Sequence, residues 1–98
     1  MSHLPIDFAL SDLTEVMRLV TEEPSTHRRL LDLARIGITA RYSNIIDKTL
    51  MDEVTRPTSM DIVIHAQMDM TKLLVTIGRK FLEDYNHRLK ERNQSKVA

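Results

Sequence analysis

Asp61, His65 and Asp69 follow one another at four-residue spacing, which on a helix stacks an imidazole between two carboxylates on one face. A row of that kind could hold a divalent cation or serve in acid and base transfer. Zinc-binding helices, however, present two histidines four residues apart, and this row has one. Polar residues at i and i+4 are also what the solvent face of any helix displays. The row therefore reads as a solvated face, and no catalytic residue, metal ligand or cofactor-binding residue is assigned. His3, His27 and His87 are scattered. No glycine-rich phosphate loop, nucleophile elbow or paired-carboxylate cleft can be assembled from the remaining residues. The absence of cysteine excludes thiol catalysis, zinc-thiolate sites and disulfides. The expectation is a chain that is not an enzyme and that takes neither a small-molecule substrate nor a cofactor.

Two basic stretches invite a different chemistry. Arg28, Arg29, Arg35 and Arg41 cluster with Asp32, and Arg79, Lys80, Arg88, Lys90, Arg92 and Lys96 gather toward the C-terminus. The first reads as a solvated helix face in which Asp32 pairs with Arg28 or Arg35. The second complements the negative end of a helix dipole. Fourteen basic residues are balanced by fourteen acidic ones, which argues against binding to nucleic acid through phosphate neutralisation. The balance is uneven along the chain. Residues 1–23 carry one Arg against five acids, net −4, and residues 79–98 carry six basic residues against three acids, net +3. Head-to-tail stacking of copies would join such ends, as would antiparallel pairing within one chain.

The elements that must position these residues are helical. Hydrophobic residues make up 42% of the 98 positions but aromatics only 4%, so the core falls to Leu, Ile, Val and Met, and six methionines add adaptable contacts. No Asn-Gly or Asp-Gly hairpin signal occurs. The first ten residues fit either an extended arm or a first helical turn. Ser11 or Asp12 can cap a short helix through Leu13, Val16, Met17 and Val20, which Pro24 ends. Ser25 or Thr26 can cap a second, with Leu30, Leu31, Ala34, Ile38, Tyr42, Ile45, Ile46 and Leu50 at helical spacing and Gly37 inside it. A polar connection over 52–59, containing Pro57, leads to the most regular stretch. There Met60, Val63, Ala66, Met70, Leu73, Ile77, Phe81, Tyr85 and Leu89 recur every three or four residues, predicting one long helix from about Met60 to Lys90. Gly78, beside that seam, marks a close crossing or a kink. A seam so long on so short a chain predicts contact with another helix or another copy.

The run Pro57-Thr58-Ser59-Met60-Asp61-Ile62-Val63-Ile64-His65-Ala66-Gln67-Met68-Asp69, followed by Leu74-Val75-Thr76-Ile77-Gly78-Arg79-Lys80-Phe81-Leu82-Glu83-Asp84-Tyr85, resembles the C-terminal half of the inner-rod proteins of type III secretion injectisomes. It is also similar to the related flagellar rod adaptor. A small polar connector, an apolar helical segment with a glutamine, and a second segment with Arg-Lys ahead of an apolar turn carry the likeness, over about a third of the chain. The helix running on through Leu89 into a charged tail and the Arg-rich second helix depart from it. The resemblance implies a structural subunit that co-assembles with itself or with secretion-apparatus subunits, using Val63, Ala66, Met70, Leu73, Ile77, Phe81 and Tyr85 as inter-subunit packing positions. It also implies export through that apparatus without a signal peptide.

The sequence thus predicts an all-α fold in one small domain over 1–98, with a mobile N-terminal arm at 1–10 and a frayed tail at 91–98. It has three helices, the second and third forming an antiparallel hairpin. No basic n-region precedes an apolar core, and no apolar run reaches the roughly 18 residues of a membrane span, so synthesis in the cytoplasm is expected. The partners are proteins. The alternative to a rod subunit is a small binding module, a secretion chaperone or regulator that caps a partner's helix with Met60, Met68 and Met70 in an adaptable groove.

Overall fold

A computed structural model describes residues 5–20, 27–56 and 69–97, and in these the chain is helical without strands. The described residues form α1 (Leu10–Val20), α2 (His27–Arg41), α3 (Lys48–Thr55) and α4 (Met70–Val97), so the three helices predicted give way to four. The predicted second helix is where the extra one arises. Its apolar spacing continues through Leu50, yet α2 stops at Arg41 and the chain turns, with the Ile45 and Ile46 amides both donating to the Tyr42 carbonyl. Asp47 then restarts a helix. Its backbone is extended (φ −84°, ψ 111°) and its carboxylate accepts from the Leu50 amide at 3.1 Å, satisfying one of the free donors of the first turn. At eight residues α3 is too short to persist alone in water. Burial of Leu50, Met51 and Val54 holds it.

The long helix starts later and ends later than its apolar repeat suggests. Asp69 lies outside it as the cap, accepting from the Lys72 amide at 2.9 Å through its side chain and from the Leu73 amide at 3.0 Å through its carbonyl. Of the polar row Asp61, His65, Asp69, only this cap is among the described residues. The tail predicted to fray from Glu91 is helical through Val97. α4 is thus 28 residues, about 42 Å, and it is the beam against which α1, α2 and α3 all pack.

Leu73, Leu74, Ile77, Phe81, Leu82, Tyr85 and Leu89 form its buried stripe, joined in one cluster with Leu13, Leu30, Leu33, Ala34, Ile38, Leu50, Met51 and Val54. Each such side chain contributes about 1.5–3 kcal/mol by leaving water. The N-terminal arm, expected to be mobile, is docked over residues 5–9. Ile6 is buried, its amide donates to Asn86 Oδ1 and its carbonyl accepts from Asn86 Nδ2, both at 2.8 Å. Phe8 lies under the Arg79 guanidinium, 5.6 Å from ring centroid to Cζ, a geometry in which the ring face attracts the cation.

Candidate functional site

Four of the seven residues predicted to pack between subunits, Leu73, Ile77, Phe81 and Tyr85, are buried in this chain's own core. Met70 is half-buried against the same cluster. Val63 and Ala66 lie outside the described residues, as do Met60 and Met68 of the methionine groove. The seam therefore offers no free face over its described length. Exposed apolar surface is found elsewhere, at Ile36 on α2 (51% exposed) and at Ile45 in the turn after it (41%).

Ile36 borders a groove between α2 and α3, which touch each other less than either touches α4. The turn at 42–47 reverses the chain, so the two helices run side by side in opposite directions. Arg28, at the start of α2, shares one end of the groove with Thr55 and Arg56, and Ala40 shares the other with Lys48. A salt bridge of 3.0 Å from Arg35 to Asp52 crosses the middle and divides the groove into two basins. The first, about 380 Å³, adds Leu31 and Asp32 to the two end arginines and has Phe81 for a floor. Among the described residues the guanidinium groups of Arg28 and Arg56 have no hydrogen-bond or ion-pair partner. With three arginines against Asp32 and Asp52 the basin is net positive. The second basin, about 360 Å³, is lined by Ile36, Thr39, Ala40 and Met51, with Lys48 at its far end and the Arg35–Asp52 bridge at its near one. The first basin is mostly polar and the second mostly apolar, with Lys48 at its edge.

Two polar pins fix the helices that form this groove. At the C-terminal end of α2, Asp12 is only 7% exposed and receives Arg41 Nε at 2.9 Å and the Tyr42 hydroxyl at 2.6 Å. The same hydroxyl lies 2.7 Å from the Asp7 carbonyl, so its single proton serves two acceptors. Burial, followed by the hydrogen bond to Asp12 and that residue's negative charge, pushes the Tyr42 phenol up to about 12. At the start of α3, Asp47 accepts Arg92 Nη1 at 2.7 Å while its amide donates to the Tyr85 hydroxyl at 2.9 Å. The Arg92 hydrogen bond, followed by that from the Leu50 amide, holds the Asp47 carboxyl below the usual carboxylate range. Arg92 Nε is buried with no partner among the described residues, a desolvation cost that offsets part of this pin.

Comparison with known proteins gives no match to any family model, curated protein or solved structure. The chemistry has to be read from the residues. Among the described residues no group of three or more His, Asp or Glu is placed to hold a metal ion, and no helix is long and apolar enough to cross a membrane. The larger depression, about 730 Å³, is lined by Pro5, Leu89, Glu83 and Lys90 with Asn86, His87, Asn93 and Gln94, and its surface is mostly apolar. Its one carboxylate and one ammonium offset each other, so it favours neither an anionic nor a cationic ligand.

The sequence predicts a solvated face for the α2 arginines, with Asp32 paired to Arg28 or Arg35. Arg35 instead pairs across to Asp52, and Arg41 pairs with Asp12. Arg56 enters the sequence reading only as part of the polar connection over 52–59, and Asp47 gives no local signal because its partner Arg92 lies on α4. Asp12, a predicted helix cap, lies in the first turn of α1, which starts at Leu10. The burial of that carboxylate comes from the end of α2, thirty residues away.

Proposed function

We propose that this chain is a compact helical binding module, not an enzyme, that holds a segment of a partner protein in the groove between α2 and α3. The observation that carries this reading is the use of Leu73, Ile77, Phe81 and Tyr85 inside the chain's own core, which leaves the α2–α3 groove, among the described residues, as a place where unpaired cations meet exposed apolar surface. The antiparallel pair that forms the groove is α2 and α3, which arise from the predicted second helix and the start of the connection after it, whereas the predicted hairpin joins that helix to the long one. The competing proposal, the self-associating rod subunit implied by the resemblance to inner-rod proteins, requires those four side chains for neighbouring copies.

Light scattering across a concentration series, with helicity followed by circular dichroism in the same samples, separates the two. A binding module keeps a constant mass and constant helicity. Mass and helicity rising together would refute this reading in favour of assembly, because the long helix would then be completed by other copies.

A further inference from the structure

The two basins of the α2–α3 groove differ in kind, and their separation specifies a ligand. Arg28 and Arg56 enter the first basin from opposite helices with no partner of their own among the described residues, while Arg35 is already oriented by Asp52. Guanidinium groups present forks of donors that match carboxylate geometry. Asp32 and Asp52 in the same lining would repel a continuous phosphate backbone, whereas isolated carboxylates between the arginines avoid them. Beyond the Arg35–Asp52 bridge, Ile36 and Ala40 stand exposed above Met51, with Lys48 at the far end of the basin. Eight residues separate Arg28 from Ile36, about 12 Å along a helix.

Resting on the binding-module reading, we infer that the groove takes an acidic amphipathic helix of a partner protein. Carboxylates from one turn of that helix enter between Arg28 and Arg56, and an aliphatic side chain about two turns away covers Ile36 and Ala40. A helix suits the groove because it satisfies its own backbone, and a third helix laid between two neighbours follows ordinary ridge-and-groove packing. An extended strand would need a free sheet edge, and the described residues contain none.

The test uses a fluorescein-labelled helical peptide with two glutamates one turn apart and a leucine two turns further on, titrated with the full chain by fluorescence anisotropy. A matched peptide with glutamines in place of the glutamates is titrated in parallel. The glutamate peptide should bind more tightly than the glutamine peptide, and R28Q/R56Q should weaken its Kd about fivefold, as loss of two exposed ion pairs implies. Binding should also weaken as salt is raised toward 0.15 M, about where the Debye length is 8 Å. Ile36→Ser should weaken both peptides. The charge-reversed R28E/R56E chain should in turn prefer a lysine version of the peptide, which keeps the test decisive if one variant folds poorly. Equal binding of the glutamate and glutamine peptides, or unchanged binding by R28Q/R56Q, would overturn the inference. Displacement of the peptide by inorganic phosphate at similar affinity would overturn it too, assigning the basin to a free anion. Failure of charge preference in a chain of constant mass refutes this inference alone; a mass that grows with concentration refutes the module reading beneath it.

Discussion

Gly78→Ala should destabilise the fold even though alanine is the better helix former. A Cβ at Gly78 would overlap the Leu13 Cδ1 methyl and stand 3.3 Å from Leu13 Cγ and 3.4 Å from Phe8 Cε1. Leu13 is 1% exposed, so its methyl has to move into packed surroundings, and overpacking of this kind costs about 1–3 kcal/mol. Removing a glycine from a helix interior returns about 1 kcal/mol, leaving a net loss of up to about 2 kcal/mol. The decisive assay is a double-mutant cycle by urea unfolding. Leu13→Ala alone should cost about 2–5 kcal/mol. In that background Gly78→Ala should become stabilising by about 1 kcal/mol, because the obstructing methyls are gone and only the propensity gain remains. If Gly78→Ala raised stability in the unaltered chain by as much as in Leu13→Ala, the glycine would be no close crossing of α1 and α4 and the reasoning would be wrong.

Tyr42→Phe should cost about 1–3 kcal/mol in chemical denaturation by leaving Asp12 and the Asp7 carbonyl without their shared donor. Because folding raises the Tyr42 phenol to about 12, its contribution is complete below its ordinary value near 10 and is lost as pH climbs through 12; alkaline titration of stability should flatten in Tyr42→Phe. Asp47 is lowered on folding, so its contribution is present above the ordinary carboxylate range and is lost as pH falls through the lowered value. Asp47→Asn, which retains an oxygen to cap α3 but gives up the charge facing Arg92, should be less sensitive to acid than the parent, and an unchanged acid profile would count against the pin. Ile77→Asp should unfold the monomer outright, read as lost ellipticity, since it places an unpaired charge in the core at a cost of several kcal/mol; a folded Ile77→Asp chain would contradict the burial described for α4.

The all-α class and the buried stripe from Leu73 to Leu89 were legible because a 3.6-residue repeat has one physical meaning in a chain with so little turn chemistry. The break in the second segment was not. Tyr42, Ile45, Ile46 and Leu50 keep helical spacing across it, and what stops α2 is tertiary, the phenol seeking Asp12 and the Asp7 carbonyl, followed by the cap at Asp47. The start of α4 was misplaced for the opposite reason: Asp69 fits the solvent face of a continuous helix as well as it fits a cap, and local sequence does not choose between them. The groove was hidden for want of the turn. Arg28 and Arg56 are neighbours only because the chain reverses at 42–47, and nothing in their own surroundings announces it.

The paired hydrogen bonds between Ile6 and Asn86 also set an order of events during synthesis. The arm is made before α4, and its partner amide emerges eighty residues later, after α1, α2 and α3. Until then Ile6 and Phe8 have no site to occupy, and α1 lacks the glycine notch that receives Leu13. The α2–α3 hairpin can close locally while the N-terminal quarter waits. A stalled or shortened product lacking α4 would therefore expose the arm and the apolar faces of the other helices together, presenting to proteases and chaperones what the finished chain conceals.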